Sequence, residues 1–413
     1  MTYENLSSIN AYLVGGAVRD ELLQRPVADR DWVVVGSTPE QLIDLGFTQI
    51  GNDFPCFLHP DSKEEYALAR TEQKSGEGHT GFICDFHPNI SLEDDLLRRD
   101  LTINAIAKRD NGDYVDPYGG IDDLNNRVLR HVSPAFVEDP LRVLRVARFA
   151  ARFANLGFSV HPDTMALMSV LAQNGELDLL TPERVWKEIS RALTEPKPSE
   201  FFRVLRACGA LKSIMPELDC LFGVPQPEQH HPEIDTGEHV MLCLDYARQQ
   251  FNDLTVTWAV LLHDLGKGVT PKEQWPSHVD HENLGEPLVR EVNKRLKTPK
   301  ELGEISALVA KHHLRAHQLK VMKAGTIMKL IESLDGIRRP ERVGLFINAC
   351  EADAQGRLGL EESPYPQRIV LENALIAAKS VEVKTLLEKG YKGKDLAEQI
   401  RQARIKAIKH SLQ

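Results

Sequence analysis

Two acidic residues one position apart, Asp29 and Asp31, run directly into the apolar stretch WVVV, Trp32 to Val35. Residues i and i+2 of a strand face the same side, so this spacing aims two carboxylates at one spot on a sheet edge. Hard oxygen donors grouped in that way suit Mg²⁺, and two such ions about 4 Å apart can activate an attacking hydroxyl and steady the leaving oxygen at phosphorus. A solvated acidic turn would use the same two residues. Upstream, LVGGAVRD, Leu13 to Asp20, reads as a strand, a tight glycine turn and a helix start. Gly15 and Gly16 let backbone approach a phosphate, the helix start offers free N–H groups, and Arg19 adds a fork of donors. Taken alone, a glycine pair there is only a turn. A second chemistry stands far downstream, where His263 and Asp264 adjoin at the end of an apolar run, just before Gly266-Lys267-Gly268. Imidazole and carboxylate together suit a divalent transition ion such as Ni²⁺, Co²⁺, Zn²⁺ or Mn²⁺. Nine of the fifteen histidines fall between His230 and His317, among them His278, His281, His312 and His313, which sets this pair apart from a lone histidine satisfied inside a helix.

The elements that must position these residues change along the chain. The first 130 or so residues mix short β-rich runs, such as AYLV from Ala11 to Val14, with helical patterns punctuated by glycine. From Pro140 to about Leu221 the texture becomes long amphipathic helices, as in LRVLRVARFAARFA and PERVWKEISRAL. VPQPEQHHP, Val224 to Pro232, then breaks the pattern and marks a boundary. At 413 residues, two to four compact units are expected. The polar, glycine-bearing stretch Arg70 to His79 predicts a mobile loop. Arg98-Arg99-Asp100 reads as a helix start, with Arg99 able to hold a triphosphate oxygen and Asp100 and Asn104 able to reach sugar hydroxyls or a metal-bound water. Asp139 followed by Pro140 is a helix N-cap with proline at the first helical position. Beyond it Arg142, Arg145 and Arg148 share one side of the helix, which a plain solvated face would also explain.

Bulk properties exclude some partners. A formal charge of −10 argues against a chain that coats nucleic acid by charge alone, so nucleic-acid contact is expected to be local. The six cysteines, at 56, 84, 208, 220, 243 and 350, form no CxxC pair, as for reduced thiols that fill a core. With no long apolar run and no leader-like start, a soluble, cytoplasmic chain without a membrane partner is expected.

The glycine turn, Arg-Asp and D-x-D about ten residues on, taken together, resemble the nucleotidyltransferase superfamily that includes DNA polymerase β, and within it the class II tRNA nucleotidyltransferases and bacterial poly(A) polymerases. Three blocks extend the resemblance in order: RRDLTINA from Arg98 to Ala105, DPYGG from Asp116 to Gly120, and EDPLR from Glu138 to Arg142. His239, His263-Asp264 and Asp353 resemble the H…HD…D pattern of the HD phosphohydrolases. The fold so implied is α+β: a polymerase β-like head over 1–137, an all-α neck and body over 138–225, an all-α HD domain over 226–355 and a helical tail over 356–413. The activity implied is template-independent addition of CCA to the 3′ end of tRNA from CTP and ATP. Asp29 and Asp31 would hold Mg²⁺, with Gly16, Arg19 and Arg99 on the triphosphate. Asp139 and Arg142 would read the base edge, and Arg145 and Arg148 would support the base or phosphates. A carboxylate beside a guanidinium matches the amino donor and ring-nitrogen acceptor that cytosine and adenine share. The HD site would use Ni²⁺ or another transition metal at His239, His263, Asp264 and Asp353 for phosphatase, 2′-nucleotidase and 2′,3′-cyclic phosphodiesterase chemistry, with His263 and Asp264 catalytic. A monomer or homodimer is expected. Only one pair of carboxylates is clear in the head, and a third ligand, for which Glu65 is a candidate, is left unassigned.

Overall fold

A computed structural model describes residues 9–50, 56–74 and 82–412. The chain divides into two compact units, residues 1–188 with 200–214, and residues 189–199 with 215–413.

The first unit is built on a seven-stranded mixed sheet. Its strands are β1 (Asn10–Val14), β2 (Asp31–Val35), β3 (Thr48–Ile50), β4 (Cys56–Leu58) and β5 (Glu65–Leu68), with β8 (Ala107–Lys108) and β9 (Tyr114–Val115) beyond the separate hairpin of β6 (Thr71–Lys74) and β7 (Phe82–Asp85). The sheet order is β3-β4-β5-β2-β1-β8-β9. WVVV is apolar throughout because both faces of β2 are covered. Val33 packs with Tyr12, Val14 and Leu96 on one face, and Val34 with Leu42, Phe47 and Phe57 on the other. Pairing places the chemistry. β1 runs antiparallel to β2 with Val14 opposite Asp31, so the glycine turn after β1 and the start of β2 share one sheet edge. β5 runs parallel to β2 with Asp31 opposite Glu65.

Three local expectations change. The strand begins at Asp31, so alternation places Asp31 alone, while Asp29 lies in the segment leading in. The Arg98-Arg99-Asp100 block follows a helix end rather than opening one: Leu92–Leu97 is the helix, Arg98 is its C-cap, and Thr102–Asn104 forms a single 3₁₀ turn. Acidic Glu93, Asp94 and Asp95 occupy that helix's first turn, where the dipole favours them, and Ser91 caps it. Within Arg70–His79, Thr71–Lys74 is a strand paired with Phe82–Asp85, whereas residues 75–79 lie outside the described residues.

The second unit is helical among its described residues. Its core joins Cys243 and Ala247 of helix Thr236–Phe251, Val256 and Val260 of Leu254–Leu262, Ile305 and Val309 of Lys300–His317, and Phe346 and Cys350 of Pro340–Gln355. Asp235 and Asp253 cap two of these helices, each carboxylate accepting first-turn N–H groups. Leu371, Ala374 and Ala378 of Gln367–Lys379 and Ile408 of Gly393–Ser411 enter the same core. All six cysteines are free, but only Cys208, Cys243 and Cys350 are buried as core filler. No described helix is long and apolar enough to cross a membrane.

Candidate functional site

In the first unit Asp29 and Asp31 are exposed and line an open cavity of about 490 Å³ together with Lys63, Glu64 and Glu65. Although its surface is open to solvent, the protein around the Asp31 carboxylate thins its hydration and, with the neighbouring Asp29 carboxylate, raises its pKa, while the Arg99 guanidinium opposes the rise. Glu65, unassigned from sequence, stands beside Asp31 through strand register and, with Glu64, brings the carboxylates lining the cavity to four. Trp32 stacks on Tyr66 at 5.4 Å between ring centroids and donates through Nε1 to Glu64 at 2.8 Å, which locks that register. Gly15 has φ +70°, and a Cβ there would lie 2.9 Å from Arg99 Nη1. Glycine is therefore what lets an arginine close on the turn.

Behind the cavity the remaining motif residues form one buried polar network. Arg19 donates to Asp20 Oδ1 at 2.8 Å and to Asn104 Oδ1 at 2.6 Å. The Asn104 amide donates to Asp100 Oδ1 at 2.9 Å, and Arg145 Nε donates to Asp100 Oδ2 at 2.8 Å. Arg152 closes the chain on Asp20 Oδ2 at 2.9 Å. Arg19 also lies 5.2 Å from the ring centroids of Phe149 and Phe153. Burial opposes ionisation of Asp100, yet the Arg145 guanidinium and the Asn104 amide hold its carboxyl far below the usual range. The glycine turn, the RRD block and helix Leu141–Phe153 are thus tied by charge-assisted bonds.

The arginine face of that helix is not a solvated one. Arg142 and Arg148 are buried. Arg142 donates to the carbonyls of Ala135 and Arg98 at 2.7 and 2.6 Å, and Arg148 pairs with buried Glu188 at 2.7 Å. The helix opens at Leu141 with Pro140, not Asp139, at its N-cap; Asp139, one residue earlier, still accepts from Leu141 N–H at 3.1 Å. Its carboxylate is also gripped by Arg184 Nη2 at 2.9 and 3.1 Å. Arg184, from the segment PERVW, was not singled out from sequence; only its distance from Asp139 in space makes it relevant.

In the second unit His239 and Asp353 come from two helices, and His263 and Asp264 from the turn that follows a third, Leu254–Leu262. His239 Nε2 lies 3.2 Å from Asp353 Oδ1 and 3.9 Å from Asp264 Oδ2, and His263 Nε2 lies 3.3 Å from Asp264 Oδ2. All four are buried, and His263 Nε2 and Asp264 Oδ1 have no hydrogen-bond partner. His239, His263 and Asp264 offer ligand atoms close enough together for one ion, as do His239, Cys243 and Asp353. The residues present therefore fit a divalent metal. Burial works against a charged His263, but the carboxylates of Asp264 and Asp353 push its pKa up to about 10. Burial, reinforced by the neighbouring His263 cation, drives His313 down to about 3.

Residues outside the ligand set aim it. His239 Nδ1 is 2.8 Å from Glu233 Oε1, so Nδ1–H donates to the carboxylate and Nε2 keeps its lone pair toward the cluster. Lys267 donates to Asp264 Oδ2 and to Gln226, both at 2.6 Å. His317 Nε2 lies 2.7 Å from Asp353 Oδ2, and its Nδ1 faces the Tyr365 hydroxyl at 3.1 Å. His278 belongs to the histidine-rich stretch but not to the cluster, because Thr270 and the Pro225 carbonyl take both its nitrogens. Gly266 permits close packing here: a Cβ would fall 2.0 Å from the His281 carbonyl.

These two sites correspond to separate family matches. Residues 11–130 match the poly A polymerase head domain, 157–221 a probable RNA- and SrmB-binding site of polymerase A, and 236–343 the HD domain. A multifunctional CCA protein of Pseudomonas fluorescens is 58% identical over 398 residues, 96% of this chain and 97% of that one. One from Hahella chejuensis is 56% identical over 96% of this chain and 94% of its own length. The solved Thermotoga maritima CCA-adding enzyme complexed with tRNA is 20% identical, with a TM-score of 0.64 over 98% of this chain and 88% of its own, and shares the fold. The chain belongs to the multifunctional CCA protein family.

Proposed function

We propose that this chain builds and repairs the 3′-terminal CCA of tRNA from CTP and ATP, releasing pyrophosphate, and that its HD site hydrolyses phosphate esters, including 2′-nucleotides and 2′,3′-cyclic phosphates. The observation that carries the first activity is the meeting of Asp29 and Asp31 on one open cavity beside the Gly15–Gly16 turn and Arg99. Asp29 and Asp31 hold Mg²⁺, which when bound activates the terminal ribose hydroxyl and neutralises charge on the triphosphate. Gly16 and Arg99 receive the phosphates, and Arg19 braces the turn from behind through Asp20 and Asn104. Asp139 and Arg142 select cytosine and adenine by their edges, with Arg184 orienting Asp139 and with Arg145 and Arg148 holding the helix on which the readers stand.

His239, His263, Asp264 and Asp353 would hold Ni²⁺ or another transition ion, which when bound would supply Lewis-acid chemistry for phosphoester hydrolysis. Lys267 and Arg357, both beside these carboxylates, provide positive charge for an incoming phosphate. Residues 1–137 act as catalytic head, 138–225 as neck and body for nucleotide recognition and tRNA, 226–355 as the HD domain and 356–413 as a helical tail. The chain works in the cytoplasm.

The test is incubation with tRNA lacking its last three nucleotides and each labelled nucleoside triphosphate. Ordered addition of C, C and A, ending there, is expected. Open-ended A addition would move the activity to poly(A) synthesis, and absence of any incorporation would overturn it.

A further inference from the structure

Arg184 stands in the helix Pro182–Ala192, and its Nη2 lies 3.1 Å from Asp139 Oδ1 and 2.9 Å from Asp139 Oδ2. A donor almost equidistant from the two oxygens sits in the notch between them. Oδ1 also accepts from Leu141 N–H at 3.1 Å. A carboxylate has about four acceptor positions, two on each oxygen. Arg184 takes the inner position of both oxygens and Leu141 the outer position of Oδ1, so the outer position of Oδ2 is left open. Both side chains stay partly exposed, and an incoming base edge can reach them. The other terminal nitrogen of Arg184, Nη1, is buried without a hydrogen-bond partner, so the fork is set for this carboxylate rather than shared among several acceptors. One turn on, Glu188 of the same helix pairs with Arg148 at 2.7 Å, which fixes this helix against Leu141–Phe153 and with it the aim of Arg184.

What a single open position can read follows from the chemistry of the bases. The pairing edges of cytosine and adenine each hold one amino donor beside a ring-nitrogen acceptor. Guanine instead sets two donors side by side, its N1 hydrogen and its N2 amino group. A carboxylate with an open notch binds such a pair through both oxygens, as it binds the fork of an arginine. Uracil offers one N–H between two carbonyl oxygens and gains nothing from a second acceptor. We propose that Arg184 is a positioning residue for nucleotide choice: by filling the notch of Asp139 it leaves one acceptor for an amino group and keeps guanine out. This rests on the reading of Asp139 as a reader of the base edge.

The experiment measures kcat/KM of the full chain for each of the four nucleoside triphosphates on tRNA lacking its last three nucleotides, with melting curves alongside. Arg184→Met keeps the apolar stem and removes the donors. In it the GTP-to-CTP ratio should rise about 10- to 100-fold, and the UTP-to-CTP ratio by less than about threefold. Arg184→Gln, shorter and uncharged, carries the same expectation on a polar side chain should the Met variant not fold. In Arg184→Lys, whose ammonium can fill the notch, the ratio should stay near that of the parent. The gain for GTP should vanish when Arg184→Met is combined with Asp139→Ala, because the open carboxylate is what admits guanine. An unchanged GTP-to-CTP ratio in Arg184→Met and Arg184→Gln overturns the proposal, as does an equal fall for all four nucleotides with a lower melting temperature. A gain for GTP that persists without the Asp139 carboxylate overturns the role of the notch. Unchanged preference for CTP and ATP in Asp139→Ala alone overturns the reading of Asp139 and the proposal with it.

Discussion

The carboxylates of the first unit stand exposed on an open cavity, whereas those of the second are sealed among imidazoles. A site that must admit a nucleoside triphosphate and an RNA end cannot be closed by its own ligands. Its rigidity comes instead from the layer behind it, where Arg19, Asn104, Asp100 and Arg145 exchange charge-assisted bonds. In the histidine cluster the rings themselves are locked, since the Nδ1 atoms of His263, His281 and His313 are bonded to backbone carbonyls and that of His239 to Glu233. One chain thus holds an open, oxygen-only site braced from behind and a buried, nitrogen-rich site braced from within.

The largest expected effect separates the two chemistries. Asp31→Ala should cut CMP and AMP addition by several orders of magnitude while leaving phosphoester hydrolysis unchanged, and His263→Ala should do the reverse. Assays of both activities on both variants check this, and parallel loss of both would mean that the sites are not independent. Next comes the bracing of the head. Arg148→Ala leaves Glu188 charged and buried, so stability should fall by about 3 kcal/mol in denaturant unfolding. A loss below about 1 kcal/mol would show that water replaces the pair.

Two smaller effects test how each site is aimed. Glu233→Gln keeps the shape but weakens the grip on His239, so the affinity of the cluster for Ni²⁺ should drop about 10- to 100-fold in a chelator competition, with CCA addition unaffected. Arg142→Ala should erode discrimination against UTP and GTP by about 1–3 kcal/mol in a four-nucleotide incorporation assay. Since Arg142 also holds two carbonyls, the melting curve is measured alongside, and lost stability with unchanged nucleotide preference would reduce it to a structural role.

The smallest effect is one of pH. The folded pKa of Asp100 is depressed, so its contribution is present above the unfolded value of about 3.9 and drains away as pH falls below it. In Asp100→Asn the fall of stability between about pH 5 and pH 3 should be shallower than in the parent, by at most about 1.4 kcal/mol per pH unit. Identical slopes would place the acid sensitivity elsewhere, for instance in the carboxylates of the histidine cluster.

Local pattern carried much of this protein's organisation. The apolar runs that become β1 and β2, the glycine turn, the helical second half and the His263-Asp264 pair at a helix end were all legible, because each depends on neighbours within one turn or a few strand positions. Local pattern also misled where a motif straddles an element end. Alternation does not extend back to Asp29, and the RRD block closes a helix although its residues suit a start. What only the tertiary structure decided are the partnerships across distance. Strand register sets Glu65 beside Asp31, the pairing of Arg145 with Asp100 spans 45 positions, and the packing of helices turns one oxygen of Asp264 toward His239 and His263 and the other toward His281 and His313. Neither period nor propensity encodes these. A side chain's partner is chosen by which faces of remote elements meet, and a buried polar atom is costly until that meeting supplies one.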